Sequence, residues 1–348
     1  MSALAPGFTR GDRAPDFMLP NPDGKFGRFY DRFKGNLVIL FFYPSGRDAA
    51  ALGELLGFVE RGAALADAGA RIVAVTRDAV DANRRLVDAH GIDFTLFSDP
   101  EGAITRGYGV AGLATLVLDR NQHVLAALPD APGDGHAAGA LAHLLTEPPA
   151  VGAPGIVSAQ APVLLIPDVF DAALCERLIG DWRDDHAEGG VRKRGSGTVD
   201  PASRAVDHGI KKRLDHNPSD AVNRELIGYV ERRIAPEVFK AFNFATTVIE
   251  AFCVGAYEAA RGDYFHAHRD NMTPQTANRR FAITVNLNEG YEGGGLMFPE
   301  YGDQIYSTGT GGAIVFSCSL LHQAPPVTRG RRFVALSFLI DQAGRRRG

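Results

Sequence analysis

Cysteine is scarce in this 348-residue sequence, and that scarcity excludes a fold held together by disulfides. The three cysteines, Cys175, Cys253 and Cys318, are an odd set that predicts buried structural roles in a reducing compartment. The sequence also lacks a basic start followed by an apolar run, and it has no apolar stretch near the ~20 residues that span a bilayer. We therefore expect a cytoplasmic protein without a membrane partner.

A strong charge of one sign is missing as well. The formal net charge is -4 and the isoelectric point is about 6.2, so no global positive field gathers nucleic acid, and we expect no nucleic-acid partner. No GxGxxG follows a predicted strand, and the glycine-rich stretch at 308–313 lacks the lysine of a phosphate-binding loop. These absences argue against a nucleotide-dependent enzyme.

The length exceeds that of most single domains and predicts two hydrophobic cores. From about 37 to 145, apolar strands alternate with helical periodicity, which predicts βαβ crossovers and a mainly parallel sheet. Residues 146–162 are rich in Pro, Gly and Ala and have no periodicity, as is typical of a connection between domains. We predict one domain over 1–147, a linker over 148–162 and a second domain over 163–348.

The second half begins as helix and changes to short strands. Asp171 is placed to cap a helix whose Leu174, Leu178 and Trp182 share one face, and helical patterns continue to about residue 241. Beyond that point, short apolar runs alternate with glycine-rich turns, without the helices that a parallel sheet needs. An antiparallel sandwich or barrel is therefore predicted.

Three residues of this half have the chemistry of a metal site. His268 and Asp270 are two apart, so on a strand their side chains point to the same face, and His322 ends the apolar run that starts at Ala313. Two imidazoles and one carboxylate form a facial triad that suits Fe(II) and leaves three coordination positions open. Each residue alone also has an ordinary interpretation: a half-buried histidine, a turn aspartate and a strand-end histidine.

An arginine ten residues after His322 adds to this pattern. Arg332 begins the strand FVALSFLI, where a guanidinium can bind the distal carboxylate of a dicarboxylic co-substrate through two parallel hydrogen bonds. Arg329 and Arg331 are rivals for this role. The following residues are apolar on both faces of the strand, so periodicity does not choose among the arginines, and an exposed cation at a strand end is the ordinary alternative.

Residues 245–341 resemble the Fe(II)- and 2-oxoglutarate-dependent oxygenases of the prolyl 4-hydroxylase-like group. The similarity runs through AYEAARGDYFHAHRDN, RRFAITVNLNEGYEGGGLMFPEYG and GGAIVFSCSLLHQAPPVTRGRRFVALSF. It implies a double-stranded β-helix, or jelly roll, and a dioxygenase that uses Fe(II), 2-oxoglutarate and, as a further candidate, ascorbate. It also implies that Arg332 and Tyr257 bind 2-oxoglutarate. The Asp270 carboxylate argues against halogenation, because the halogenases of this family lack that ligand.

The resemblance also bears on the reaction and its substrate. It implies hydroxylation of a C–H bond in a peptide, a protein side chain or a small metabolite, with release of succinate and CO₂. Tyr264, His266 and Asn271 are candidates for supporting the metal ligands, with packing or turn roles as the alternative. Residues 191–217 form a basic and polar stretch that is either a substrate lid or an exposed loop. The rival to the enzyme is a non-catalytic binding or sensing protein with a vestigial iron site.

Residues 10–145 resemble the thioredoxin-fold peroxiredoxins, in the opening stretch up to YPSG and in YGV followed by TLVLDRNQHVLAAL. That family places its peroxidatic cysteine seven residues after the proline that follows the first central strand. Here the proline is Pro44, the cysteine position is Ala51, and Asp48 replaces the threonine of the motif. No cysteine precedes Cys175, so we expect a non-catalytic domain, with homodimerisation among its candidate roles.

Overall fold

The structure is a computed structural model that describes residues 8–129, 135–146, 155–157, 159–189, 191–192, 206–207 and 211–340. Its contacts divide the chain into two compact units, Met1–Pro154 and Gly155–Gly348. Residues 147–154 and 158, which include much of the predicted linker, lie outside the described residues, and the predicted domain limits stay predictions. No helix within the described ranges is long and apolar enough to cross a membrane.

The first unit is built on a five-stranded sheet flanked by helices. The strands of this unit are β1 Met18–Pro20, β2 Phe26–Arg28, β3 Leu37–Tyr43, β4 Ala70–Thr76, β5 Thr95–Ser98, β6 Ala114–Leu118 and β7 Val124–Leu128. Of these, β1 and β2 form a separate two-stranded sheet. The helices of this unit are α1 Phe29–Phe33, α2 Ala49–Glu60, α3 Gly62–Asp67, α4 Val80–His90, α5 Ala103–Gly107 and α6 His136–Thr146. The order β5-β4-β3-β6-β7 places β3, in which every residue is buried, at the centre.

The prediction of a mainly parallel sheet is wrong for half of the pairings. β3 pairs in parallel with β4, and β4 with β5, through helical crossovers, whereas β6 is antiparallel to both β3 and β7. Only five residues join β6 to β7, which is too few for the crossover that parallel strands need. The mixed sheet with helices on its faces is thioredoxin-like and confirms the predicted class of this unit.

The second unit packs helices against a large antiparallel sheet. The helical segments are α7 Ala172–Asp184, α8 Asp220–Tyr229, a π-helical turn at Val230–Ile234, α9 Ala235–Phe242 and a 3₁₀ turn at Ala259–Arg261. The first strands are β8 Val163–Ile166, β9 Ala187–Gly189, β10 Val191–Arg192, β11 Val206–Asp207, β12 Lys211–His216, β13 Val248–Ile249 and β14 Cys253–Glu258. The later strands are β15 Tyr264–His268, β16 Arg279–Asn286, β17 Glu292–Gly293, β18 Leu296–Met297, β19 Ile305–Tyr306, β20 Ala313–Ser317, β21 His322–Ala324, β22 Val327–Arg329 and β23 Arg331–Ile340.

This sheet curls on itself. Its main path is β19-β18-β21-β15-β12-β14-β23-β16-β20-β8, and all of these pairings are antiparallel. One end of β12 pairs with β15 and the other with β14, so this short strand joins the two halves of the curl. The curled sheet confirms the predicted jelly roll.

The region before the jelly roll differs from its prediction. Asp171 caps α7 by accepting a hydrogen bond from the Leu174 amide at 2.8 Å, as expected. The helical pattern predicted up to residue 241 is wrong over 187–189 and 211–216, where the chain forms strands. Of the predicted lid, residues 193–205 and 208–210 lie outside the described residues, and 211–216 belong to the sheet.

Candidate metal centre

Two neighbouring strands bring the predicted histidines together. His268 ends β15, His322 begins β21, and the two residues face each other directly across this antiparallel pair. Asp270 follows in the turn after β15, where its amide donates to the Cys318 carbonyl at 3.0 Å and holds this turn against the segment that leads to His322. Residues 54 positions apart in sequence therefore share one site.

The ligand atoms of the three side chains converge. One atom each from His268, Asp270 and His322 lies within 4.8 Å of the others. The Nε2 atoms of His268 and His322 are each 3.4 Å from a different oxygen of Asp270. Nitrogen and oxygen ligands about 2.1 Å from one ion, at right angles to each other, lie roughly 3 Å apart, so the spacing fits a shared metal ion.

Hydrogen bonds at the far side of each ring decide which nitrogen is free. His268 Nδ1 lies 2.8 Å from the His266 carbonyl oxygen, and His322 Nδ1 lies 3.0 Å from the Leu320 carbonyl oxygen. A carbonyl only accepts, so each Nδ1 carries the proton and donates it. The lone pair of each Nε2 then points toward Asp270. This is the tautomer and orientation that metal-binding histidines require.

The charges of the site also suit a cation. Burial alone would raise the pKa of Asp270, but His268, which donates to the carboxylate through Nε2 when its ring is protonated, and the positive charges of His322, His268 and Arg279 lower it below its usual value. Burial lowers the pKa of His322, against an opposing effect of Asp270. The set therefore presents an ionised carboxylate and a neutral His322 imidazole at neutral pH, and a metal ion displaces no proton from either.

The triad opens into a cavity of about 320 Å³ inside the jelly roll. Aromatic and aliphatic side chains form much of its lining, including Phe265, Leu296, Phe316 and Phe338. The Phe265 ring stacks on the His268 ring with centroids 3.5 Å apart, which fixes the orientation of this ligand. An apolar cavity beside a polar cluster is the usual form of a small-molecule site.

The two predicted co-substrate residues lie side by side, but only one reaches the cavity. Tyr257 and Arg332 are directly opposite each other on β14 and β23, and Tyr257 lines the cavity. Arg332 is 1% exposed and is absent from the cavity lining, although it points to the same face of β23 as Leu336 and Phe338. Its Nη1 donates to the Gly294 carbonyl, and its Nε has no partner among the described residues.

The rival arginines are already paired with carboxylates. Arg329 is 2.6 Å from Glu292 at the surface, and Arg331 is bonded to Glu258 and lies over the Trp182 ring. Arg332 is therefore the arginine of this group that has no carboxylate partner in the described part of the chain. Its assignment to the co-substrate, like that of Tyr257, stays a prediction.

Two of the candidate supporting residues, His266 and Asn271, contact the segments that carry the triad. His266 supports His268 through its backbone carbonyl, and Asn271 donates to the Ser319 hydroxyl at 2.8 Å. Sequence reasoning missed Glu300, whose carboxylate accepts from Arg269 at 2.6 Å and from the Leu321 amide at 2.9 Å. Arg269 lies between two triad residues and Leu321 precedes the third, so Glu300 connects both ligand-bearing segments.

Sequence reasoning also missed two cations on the cavity lining, Lys211 and Arg213. Lys211, Arg213 and Asp215 alternate along β12, but five of its six residues are polar, so the sequence has no apolar alternation there that would predict a strand. Of the cysteines, Cys175 and Cys318 are buried as predicted, and burial raises the pKa of Cys175 to about 12. Cys253 is half-buried and lines the cavity.

In the first unit, the position expected for a peroxidatic cysteine lies at the start of α2. Asp48 caps this helix by accepting from the Ala51 amide at 2.9 Å, and Ala51 is buried. Ser45 and the Gly46 amide bond to the Asp78 carboxylate at 2.8 and 2.7 Å. The loop is therefore ordered by side-chain hydrogen bonds and has no thiol.

Comparison with known proteins assigns a family to each unit. The AhpC/TSA family model matches residues 10–127, and the 2OG-Fe(II) oxygenase superfamily model matches residues 254–340. A Coxiella burnetii protein that bears the peroxiredoxin name bcp is 30% identical over 141 residues, which are 37% of this chain and 93% of that protein. Peroxiredoxin Bcp of Escherichia coli is 29% identical over 102 residues, which are 29% of this chain and 65% of that protein.

Two solved structures are similar to one part of the chain each. A peroxidoxin BcpB from Mycobacterium tuberculosis has 27% identity and a TM-score of 0.38, and the match covers 40% of this chain and 99% of that protein's chain. A Pseudomonas putida prolyl-4-hydroxylase has 16% identity and a TM-score of 0.39, and the match covers 52% of this chain and 94% of that protein's chain. On the family models and the curated relatives, the chain belongs to the AhpC/TSA family through its first unit and carries a 2OG-Fe(II) oxygenase superfamily domain in its second.

Proposed function

We propose that the second unit is an Fe(II)- and 2-oxoglutarate-dependent dioxygenase that hydroxylates a C–H bond. The observation that carries this proposal is the triad, in which two Nε2 atoms with free lone pairs and an ionised carboxylate face one point. Fe(II) accepts this ligand set and keeps positions open for a chelating 2-oxo acid and O₂. The overall reaction consumes 2-oxoglutarate, O₂ and a C–H bond and yields succinate, CO₂ and an alcohol.

The residues of the chain have separable tasks in this proposal. His268, Asp270 and His322 hold the metal, and the backbone carbonyls of His266 and Leu320 keep both imidazoles in the correct tautomer. The apolar lining excludes water from the reacting atoms. Arg332 and Tyr257 are the residues we assign to the co-substrate, with the buried Nε of Arg332 as the supporting observation.

The substrate we propose is a peptide, a protein side chain or a small metabolite with an unactivated C–H bond. We also propose that the first unit does not reduce peroxides, because its sequence contains no cysteine and Ala51 occupies the reactive position. Its proposed roles are docking, substrate presentation and dimerisation. Peroxide consumption by the chain with dithiothreitol should equal that of a protein-free blank, and turnover above that blank would refute the non-catalytic role.

Anaerobic addition of Fe(II) and 2-oxoglutarate tests the enzyme proposal. Chelation of the 2-oxo acid to iron should produce a weak visible charge-transfer band in the wild type. His268→Ala should abolish the band through loss of the metal, whereas Arg332→Ala should only require more 2-oxoglutarate to reach it. A wild-type protein that binds neither Fe(II) nor 2-oxoglutarate would instead support the non-catalytic rival.

A further inference from the structure

β12 presents two buried cations to the cavity that holds the triad. Lys211 and Arg213 are 9% and 5% exposed, and both line the cavity. They alternate with Lys212 and Leu214, so pleating points them to the same face as Asp215. Pairing of β12 with both β14 and β15 fixes this orientation, and a Cβ added at Gly255 would lie only 2.6 Å from Arg213 Nε.

The charges around these cations do not balance. Among the other charged groups of the lining, Glu250 and Arg279 form a two-pronged pair at 2.9 and 2.6 Å, and Asp270 lies with the two imidazoles at the proposed metal position, where a divalent ion would balance its charge. Lys211 and Arg213 therefore share one carboxylate, Asp215, which Lys211 Nζ contacts at 2.7 Å and Arg213 Nε contacts as well. In the described part of the chain, this cluster has one positive charge in excess. Burial of an uncompensated charge is costly, and an anionic ligand would relieve it.

Both cations also retain hydrogen-bonding capacity toward the cavity. Lys211 has three donors, of which the Asp215 contact uses one. Arg213 Nη1 donates to the Tyr257 hydroxyl at 3.3 Å, and Nη2 faces Cys253 Sγ at 3.9 Å, which is a weak acceptor. Burial lowers the pKa of Lys211 and the charge of Arg213 lowers it further, as expected of an ammonium that lacks a second anion.

Aromatic rings place this cluster close to the metal ligands. Lys211 Nζ lies 5.7 Å from the centre of the Phe265 ring, and that ring stacks on the His268 ring with centroids 3.5 Å apart. The Arg213 guanidinium lies 5.5 Å from the centre of the Tyr257 ring. The two cations and the triad therefore line one and the same cavity.

We propose that Lys211 and Arg213 form a binding subsite for a carboxylate group of a cavity ligand. This inference rests on the proposed function, because it takes the cavity to be the reaction site. A guanidinium binds a planar carboxylate through parallel N–H donors, and the neighbouring ammonium adds a third donor. Two ligands supply the same chemistry: 2-oxoglutarate, whose distal carboxylate would then bind here in place of Arg332, and a prime substrate that is itself a carboxylic acid.

Titration calorimetry on the full chain loaded with Mn(II) tests the subsite and separates the two sources. The first arm titrates 2-oxoglutarate, and the second titrates glutarate into protein saturated with 2-oxoglutarate. The variants are Lys211→Met, Arg213→Gln and Arg213→Lys. Lys212→Met is the matched control, because it removes the same charge one residue away, where the side chain donates to the Arg261 carbonyl and does not line the cavity.

We expect Lys211→Met and Arg213→Gln to lower the affinity for 2-oxoglutarate or for glutarate about 10-fold or more. Arg213→Lys should have an intermediate effect, and Lys212→Met should bind both ligands as the wild type does. Weaker 2-oxoglutarate binding assigns the subsite to the co-substrate, and loss of glutarate alone assigns it to the prime substrate. Unchanged binding of both, in variants that still bind Mn(II), overturns the subsite. If Arg213→Gln loses Mn(II) through misfolding, Lys211→Met and Arg213→Lys decide the question. A wild type that does not bind Mn(II) defeats the proposed function instead.

Discussion

Asp270 is a buried carboxylate between two imidazoles. Burial disfavours its ionised form, and the neighbouring histidines favour it. Its side chain is 12% exposed and contacts His268 and His322 at 3.4 Å each. Such a group is stable as an ion only while positive charge or hydrogen-bond donors face it. A metal ion would supply that charge directly, and the two histidines would then act as its co-ligands.

The first prediction follows from this arrangement. Asp270→Asn should weaken Mn(II) binding more than about 100-fold, because the neutral amide is a poor metal ligand and a supporting contact alone is worth 10-fold to 100-fold. Titration followed by electron paramagnetic resonance of free Mn(II) measures the change. Asp303→Asn, which removes an equal charge at an exposed position, should bind as the wild type does. Equal affinity in the two variants would contradict the assignment of Asp270.

Individual site residues could be predicted from the sequence to different extents. His268 and Asp270 could be predicted because their two-residue spacing fixes a common face on a strand. His322 lies 54 residues after His268 and was proposed from its place at the end of an apolar run. Lys211 and Arg213 could not be assigned to the cavity, since their position depends on which strands β12 pairs with. Arg332 was preferred to its neighbours by resemblance, and the carboxylate partners of Arg329 and Arg331 now give a physical reason.

At the scale of elements, Glu300 joins two segments that carry the triad. Its carboxylate bridges Arg269 and the Leu321 amide. Glu300→Gln loses the charge that pairs with Arg269 and one of the two accepting oxygens, so we expect Mn(II) affinity to fall by about 10-fold, in the range of other supporting contacts of metal ligands. Glu292→Gln is the matched control, because Glu292 forms a similar 2.6 Å pair with Arg329 in which neither residue is a neighbour of a triad member. Equal Mn(II) affinity in both variants would show that the bridge does not position the ligands.

The turn between β6 and β7 provides a pH-dependent prediction. Asp119 accepts from the Asn121 and His123 amides at 2.8 Å each and from His123 Nδ1 at 3.2 Å. Burial alone would raise the pKa of Asp119, but these bonds and the charge of His123 lower it below 3.8. The carboxylate therefore stabilises the turn above that pH and loses the effect as the pH falls through its lower folded-state pKa.

Asp119→Asn should accordingly raise amide hydrogen exchange of the segment 114–128 about 10-fold at pH 7, the effect of one charged hydrogen bond. Mass spectrometry of the exchanged peptides measures it. The difference from the wild type should shrink once the pH falls below 3.8. A difference that is constant from pH 7 to pH 3 would show that the charge of Asp119 is not the cause.

The same short turn explains why β6 and β7 are antiparallel. The alternation of strands and helices earlier in this unit predicted a mainly parallel sheet and did not reveal this pair.

At the scale of the whole molecule, the single tryptophan gives a selective probe of one unit. Trp182 is 2% exposed, donates to the Leu214 carbonyl at 3.3 Å and packs on Phe333 in the core of the second unit. All residues proposed to bind metal and 2-oxoglutarate belong to that unit. Ligands that bind only the folded state stabilise it by about 2.7 kcal/mol at a concentration 100 times their Kd.

Mn(II) with 2-oxoglutarate should therefore shift the thermal transition of tryptophan fluorescence upward by several degrees. His268→Ala should remove the shift while the fluorescence of the folded protein stays as in the wild type. An equal shift in His268→Ala would mean that the ligands act elsewhere on the chain.

The sequence predicted the class of both units because their apolar patterns differ. Apolar strands alternate with helices in the first unit and with glycine-rich turns in the second. It did not predict the strand at 211–216, because a six-residue strand with five polar residues is stabilised by its neighbours in the sheet and not by its own apolar pattern. The curl of the sheet depends on that strand, which pairs with both β14 and β15.

The central claim is that His268, Asp270 and His322 hold one metal ion, and anomalous diffraction from crystals of the full chain grown with Mn(II) tests it most directly. We predict a single strong anomalous peak at bonding distance, about 2.0–2.3 Å, from both Nε2 atoms and one Asp270 oxygen. Crystals with no peak among these three side chains, or with the ion bound by other residues, would contradict the proposed function.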